Sequence, residues 1–519
     1  MVVKIRKDIS SYHAWLVEIG LLFVAFAFGI FGLDRSPTVW YDETLFNELP
    51  YQLAYHGKFI SSLEPGLAFR DQAHLGPPIH PVFQAVIFRI LGFGIWQVRL
   101  SGLFFHLLGV LTLFLAGKLY FNNRIAGLVS SALFLFDPAI VKSWRSGRPD
   151  AMAIFLGLFA LLILLYVLRS TSMHGRTSIV LYIISGVAMG LACSTHPNCL
   201  SFAVSGIIFL VLGLKTWKKR ITAMLLYSIG GVLGMALWIV RVLTYPHIFA
   251  QQFLSLSASV VGISGLLVGL ISQAQYLVGY YKLFPLLLGV QIGGIIWGFK
   301  TLDSRRKTQD ARLRRSIGLW VYGSSLASCW SLLFYFTVIR TSHPLPYVVP
   351  IMILGAGGLA IFYMSKLSKA RAMSRTILIL LAFLILANGL SVLTLRAFAT
   401  IWQWEGRSHS ALVREWREKI PSGAKVAAPP GCWYAALANK NPCRYNKILS
   451  GGGDPRDYRT RIVEDNVEYL VLQANADLHN YLLDKHVNLL QYVNSIRRPM
   501  RHLIGIEVGE YNFDIYRRK

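Results

Sequence analysis

The chain has 519 residues, 54% of them hydrophobic and 15% charged, with a formal charge of +27. Soluble proteins carry roughly a quarter charged residues, so these figures and a mean hydropathy of +0.49 exclude a soluble globular fold. The excess of Lys and Arg would suit nucleic acid on a soluble face, but here it sits in short loops between apolar runs, which leaves nucleic acid out as a partner.

The apolar runs have the length that fits a bilayer. They predict a polytopic α-helical membrane protein with about eleven spans, at 15–31, 98–115, 125–140, 151–168, 179–192, 200–214, 221–240, 283–297, 317–336, 347–363 and 377–395. The first run follows Lys4, Arg6 and Lys7, and no small-residue cleavage site precedes Asp34, so a retained helix is expected rather than a signal peptide. Every second loop is basic: Lys118 and Arg124, Arg169 and Arg176, Lys215 with Lys218, Lys219 and Arg220, then 300–315 and 366–375. These loops and the N-terminus are expected in the cytoplasm, and an odd number of spans puts the C-terminus outside. The short apolar stretch 259–272 would invert the downstream loops if it crossed. It is expected to be re-entrant or interfacial within a long outer loop, 243–281, of the kind that often serves as a lid.

The outer loop 32–97 is rich in carboxylates and opens with Trp40-Tyr41-Asp42-Glu43-Thr44. Apolar residues at Leu45, Phe46, Leu49 and Leu53 predict a short amphipathic helix on the bilayer surface, bent by Pro50. A carboxylate held there can take a proton from a hydroxyl arriving out of water, or it can simply solvate a loop or cap a helix. His74-Leu75-Gly76-Pro77-Pro78 then forms a stiff turn before the apolar segment 82–91, and His74 can contact phosphate or merely occupy the turn. Between the third and fourth spans lie Arg145, Arg148 and Asp150, and two outer arginines run against the charge bias. A lipid phosphate would explain them, since a guanidinium fork matches phosphate oxygens; pairing with Asp150 or with lipid head groups would as well. Thr195-His196-Pro197 and Arg340-Thr341-Ser342-His343-Pro344, the latter before Tyr347, complete the polar outer loops.

From about 397 the composition turns ordinary. Helical patterns at 410–419, 460–465 and 476–486 alternate with strand-like runs at 425–428, 467–472 and 502–508, which predicts a small α/β domain over 397–519. Cys432 and Cys443 fall inside it, either as a disulfide or as two free thiols. No Cys-x-x-Cys pair, Asp-x-Asp pair, Walker loop or Gly-x-Gly-x-x-Gly occurs, so neither a cysteine zinc site nor a cytoplasmic nucleotide site is indicated.

In order and sidedness these motifs resemble the GT-C glycosyltransferases. The branch is that of the protein O-mannosyltransferases, the lipid A aminoarabinose transferase and the rhizobial lipopolysaccharide galacturonosyltransferases. Trp40-Tyr41-Asp42-Glu43, Pro77-Pro78, Arg99 with Ser101, Gly117-Lys118-Leu119-Tyr120, Arg148-Pro149-Asp150, Thr195-His196-Pro197 and the stretch 343–350 carry the likeness. It implies a GT-C module over 1–396 in the plasma (inner) membrane, with 397–519 as an exoplasmic domain. It also implies a polyprenyl-phosphate sugar as donor, a lipid, glycan or protein acceptor on the exoplasmic face, and inversion at the sugar. By the same likeness Asp42 and its neighbour Glu43 are catalytic, Asp150 is a second acidic site, and Arg145 and Arg148 hold the donor phosphate. His74, Arg340 and His343 are further phosphate candidates, and Tyr41, His196 and Tyr347 would line the substrate cavity. Gly76 stands where relatives often carry Lys or Arg. Some members use a divalent ion near this aspartate and others none, so the likeness leaves a metal cofactor open. The alternative, a transporter or flippase of lipid-linked sugars, would call for internal repeats and polar midplane helices, whereas the ionisable residues here gather at the outer boundary.

Overall fold

The computed structural model describes residues 16, 19–60, 75–121, 124–169, 176–257, 389–444, 466–473, 490–496, 502–503, 506–507, 511 and 513–518, with isolated positions between 289 and 387. The expected spans 283–297, 317–336 and 347–363, the segment 259–272 and the helices 460–465 and 476–486 lie outside the described residues apart from those isolated positions, as do His74, Arg340 and His343.

The chain is mostly helical. Helix α1 (Ile19–Ile30) leads through a turn to α2 (Tyr41–His56) and α3 (Ile79–Leu91). Next come α4 (Ile95–Phe121), α5 (Arg124–Leu135), α6 (Pro138–Arg145), α7 (Asp150–Arg169), α8 (Arg176–Cys193), α9 (Leu200–Gly213), α10 (Trp217–Thr244) and α11 (Pro246–Ser257). Among the described residues, four helices are long and apolar enough to cross a membrane: Ile95–Lys118 within α4, α7, α8 and α10. Helix α7 buries most of its residues and exposes one stripe, through Phe159 and Tyr166. Helices α8 and α10 meet along glycines; a Cβ on Gly190 would lie 2.1 Å from the Gly231 carbonyl oxygen, so only hydrogen fits there.

One sequence expectation needs correction here. The run 125–140 is not one helix: Asp137 caps α6, its Oδ1 accepting from the Ala139 and Ile140 amides at 2.9 and 3.0 Å, with Pro138 in the first helical position. Proline lacks the amide that would continue α5. In the region 243–281, helix α11 occupies Pro246–Ser257.

Toward the C-terminus, α12 (Gly389–Trp402) precedes α13 (His409–Lys419) and α14 (Trp433–Ala438). The strands are β1 (Val426–Ala427), β2 (Cys443–Arg444), β3 (Tyr469–Gln473), β4 (Leu490–Ile496), β5 (His502–Leu503), β6 (Ile506–Glu507) and β7 (Phe513–Arg518). Strand order is β2-β1-β3-β7-β4, parallel across β2, β1 and β3 and antiparallel at β7. The run 502–508 is not a single strand but the paired β5 and β6. Cys432 and Cys443 are buried free thiols. One hydrophobic cluster fills the helix bundle. A second joins this sheet and its helices to Val39, Ala54, Ala85, Phe88, Ile95 and Val98, so the C-terminal segment packs directly on α2, α3 and the start of α4.

Candidate active site at the head of α2

Helix α2 starts behind Trp40, whose extended backbone (φ −131°, ψ 174°) turns the chain into the helix and places Asp42 and Glu43 in its first turn. Carboxylates suit that end, where free amides and the helix dipole are positive. Asp42 keeps a 20% exposed side chain, and Arg148 meets it with Nη1 2.7 Å from Oδ2. The Arg148 Nε donates to Asp150 Oδ2 at 2.6 Å, and the Asp150 carboxylate is almost wholly buried. Asp150 Oδ1 accepts from the Tyr347 hydroxyl. The guanidinium faces the rings of Trp40 and Phe46 at 5.8 and 5.5 Å. Burial pulls the Arg148 pKa down, but Asp150 and then Asp42 outweigh it and hold it above its ordinary value. Asp42 is therefore the open end of a carboxylate–guanidinium–carboxylate chain anchored at Asp150.

Glu43, next in sequence, is closed off. Arg99 Nε and Nη2 donate to its two oxygens at 2.8 Å each, and both side chains are fully buried. Arg99 Nη1 adds a bond to the Leu33 carbonyl at 2.7 Å. Burial pushes the Glu43 carboxyl up, against the downward pull of Arg99. Asn47 Nδ2 ties the Glu43 carbonyl to that of Gly147, at 2.6 and 2.8 Å. Gly147 has φ +61°, and a Cβ there would lie 2.2 Å from Val98 Cγ1. The turn carrying Arg148 can approach α4 this closely only as glycine. Glu43 is thus wholly engaged by Arg99, whereas Asp42 beside it keeps part of its side chain open.

Arg145 also departs from expectation. Its Nε donates to Ser36 O at 2.9 Å, Nη1 to Phe28 O and Gly29 O at 3.4 and 3.0 Å, and Nη2 to Phe31 O at 2.7 Å. The Phe28 and Gly29 carbonyls end α1, where the helix offers no partner, and those of Phe31 and Ser36 lie in the turn beyond it. Burial and the nearby Arg99 and Arg396 bring the Arg145 pKa down to about 9. The guanidinium is committed to backbone and does not point a free fork at a ligand. Tyr41 packs against the second hydrophobic cluster, which holds the C-terminal sheet.

His196 and Tyr347 do come together, their rings stacked with centroids 5.1 Å apart. His196 Nδ1 accepts from the Asn198 amide at 3.2 Å, which in the neutral ring leaves the proton on Nε2. Phe46 lies 6.4 Å from the same imidazole. His80, in the first turn of α3, joins this group and was not singled out from the sequence. Burial and His196 lower its pKa to about 4 against the opposing pull of Asp150, so it is uncharged at neutral pH. The Pro-Pro turn ahead of it is held by Ile79 N to Ser194 O at 3.1 Å and by Leu75 N to Gln252 Oε1 at 2.9 Å. Arg99 carried a legible signal, since an ionisable residue inside an apolar run marks a functional position. His80 carried only its place after Pro77-Pro78.

Among the described residues the donor set does not fit a divalent ion. Asp42 and Asp150 share Arg148, and Glu43 holds Arg99. No group of three metal-ligating side chains occurs among the described residues. A guanidinium stands between the two carboxylates that could otherwise share a cation.

Comparison with known proteins shows a likeness both in a segment of the sequence and in the fold. A family model described as dolichyl-phosphate-mannose-protein mannosyltransferase matches residues 76–243, from the Pro-Pro turn through α10. An undecaprenyl phosphate-alpha-4-amino-4-deoxy-L-arabinose arabinosyl transferase of Proteus mirabilis is 25% identical over 213 residues. That match covers 40% of this chain and 37% of the relative, so the chain spans little more than a third of that relative's length in the match. The structure of ArnT from Cupriavidus metallidurans in the apo state superposes with a TM-score of 0.60 at 14% identity, over 98% of both chains. The same protein bound to undecaprenyl phosphate gives 0.57 at 13% identity, over 97% of both. The resemblance to the GT-C superfamily, in its aminoarabinose-transferase and protein O-mannosyltransferase branch, therefore holds in the family segment and in the fold.

Proposed function

We propose that this protein is an inverting glycosyltransferase that moves a sugar from a polyprenyl-phosphate donor to a hydroxyl on the exoplasmic face. The N-terminus is cytoplasmic, and 397–519 is an exoplasmic domain beside the site. The observation that carries the reading is the Asp42–Arg148–Asp150 chain, with an exposed carboxylate at one end and a buried anchor at the other. The undecaprenyl phosphate named in the ArnT structure supports the donor class.

In the reaction, the acceptor oxygen attacks the anomeric carbon as the bond from that carbon to the phosphate oxygen breaks. The acceptor proton goes to Asp42, acting as general base. The leaving phosphate is a stable anion and needs positive charge, not a proton. Arg148 supplies it by turning from Asp42 to the phosphate, while Asp150 keeps the guanidinium in place. Incoming donor thus frees the base it needs. One base suffices, unlike the paired carboxylates of glycosidases. A transporter reading is not favoured, since the matching family and relative are both named as transferases.

The test uses the full chain in lipid nanodiscs with a set of undecaprenyl-phosphate-linked pentoses and hexoses. Asp42→Asn stays folded and loses about 10²–10⁴-fold in transfer, the usual worth of a positioned base. Arg148→Ala binds undecaprenyl phosphate about 10–100-fold more weakly, the worth of a hydrogen bond to a charged group. Wild-type turnover by the Asn variant removes Asp42 as base, and unchanged lipid affinity in the Ala variant removes Arg148 from the phosphate.

A further inference from the structure

Residues 31–40 carry the chain from α1 to the turn that holds Asp42, and residues from the far end of the sequence grip this segment at both ends. At its start, Arg35 lies 3.9 Å over the Trp404 ring, and its Nε donates to the Trp404 carbonyl at 3.1 Å. Gly32 passes Thr400 so closely that a Cβ would stand 2.9 Å from its methyl group. At the other end, the Val39 amide donates to the Tyr511 hydroxyl at 3.1 Å, across 472 positions of sequence.

Val39 and Tyr511 are both buried, 7% and 2% exposed. A buried amide needs an acceptor, and the acceptor of this one comes from the residue just ahead of β7. Tyr511 is itself flanked by His409, edge-on at 6.2 Å between ring centroids, and by Phe513, tilted at 6.3 Å. Burial pushes its hydroxyl up to about 12, which keeps it neutral. Val39 directly precedes the N-cap Trp40, so its orientation fixes where the first turn of α2 begins.

We infer that Tyr511 is a positioning residue: by holding the Val39 amide, its hydroxyl sets the first turn of α2 and so the stance of Asp42 against Arg148. The catalytic consequence rests on the transferase reading; the positioning contact does not. The C-terminal segment is then part of the active-site frame as well as an outer domain.

The experiment compares wild type, Tyr511→Phe and Ile515→Val in nanodiscs. Ile515 is buried in β7, paired with Val471 of β3 and Asn494 of β4, and serves as a stability control. Hydrogen exchange is followed at 37–46 and at 469–473, and turnover is measured with the undecaprenyl-phosphate sugars above. Tyr511→Phe raises exchange at 37–46 by about tenfold and leaves 469–473 protected, as expected when one buried amide loses its acceptor. Its kcat falls by about tenfold with KM for the donor within about twofold, while Ile515→Val shows neither change. Wild-type exchange at 37–46, loosening shared equally by 469–473, or an unchanged kcat each overturns the inference. A wild-type protein inactive on every donor refutes the transferase reading, and the exchange result then decides the contact by itself.

Discussion

Replacing Glu43 by Gln separates holding α2 in place from chemistry. The carboxylate accepts two bonds from Arg99, and neither side chain has any exposure. Gln keeps one oxygen for Arg99 Nε but turns an amide NH2 toward Nη2, setting donor against donor and leaving the guanidinium without this counter-charge. Breaking one side of a buried pair costs about 3–5 kcal/mol, a large share of the roughly 5–15 kcal/mol that holds a domain. Arg99→Met costs as much and also strips Leu33 O of its donor, about 1–3 kcal/mol more. In Glu43→Leu with Arg99→Met no buried charge remains. The double variant should therefore lie only about 1–3 kcal/mol below wild type, whereas Glu43→Leu alone, which also costs about 3–5 kcal/mol, and Arg99→Met alone sum to about 7–13 kcal/mol. Thermal melts by tryptophan fluorescence in detergent, read as a double-mutant cycle, measure this. If Glu43→Gln melts with wild type yet loses transfer, Glu43 acts in the chemistry and the positioning argument fails. If the double variant is as unstable as the sum of the singles, the pair is not the unit described.

Arg145→Leu frees the carbonyls of Phe28, Gly29 and Phe31 and should destabilise by about 3 kcal/mol or more, while the folded fraction binds undecaprenyl phosphate within about twofold of wild type; a tenfold weaker affinity would return Arg145 to the phosphate. Gly147→Ala meets both a positive φ and Val98, and should cost about 2–4 kcal/mol; wild-type melting would show that the turn can shift. His80 and His409 are held at about 4 and about 3, below the ordinary 6.5, by burial first. The unfolded chain then binds more protons below 6.5, so the stability they contribute is complete above that pH and is lost as pH falls toward 4 and 3. The loss is about 1.4 kcal/mol per unit for each. Melts between pH 7.5 and 5 should show this slope, reduced in His80→Gln with His409→Gln; an equal slope in that variant assigns it to other groups.

Hydropathy and loop charge are local, additive properties, so the membrane class could be read along the chain. So could the start of α2, and Asp137-Pro138 held the signal for the break before α6 although the apolar run hid it. What the sequence could not decide is which of two adjacent or near-adjacent residues does which work. Asp42 and Glu43 differ by one position, about 100° around a helix, and that angle sends one to the opening and the other to Arg99, 56 positions away. Arg145 and Arg148 share one short loop, yet the first ends on the carbonyls of α1 and the second between two carboxylates. The grip of Tyr511 on Val39 had no sequence signal at all, because it exists only once the C-terminal segment has docked on α2. Identity along a chain specifies what a side chain can do; only the packed bundle determines which partner it meets, since a buried charge or amide must be satisfied by whatever the fold brings beside it.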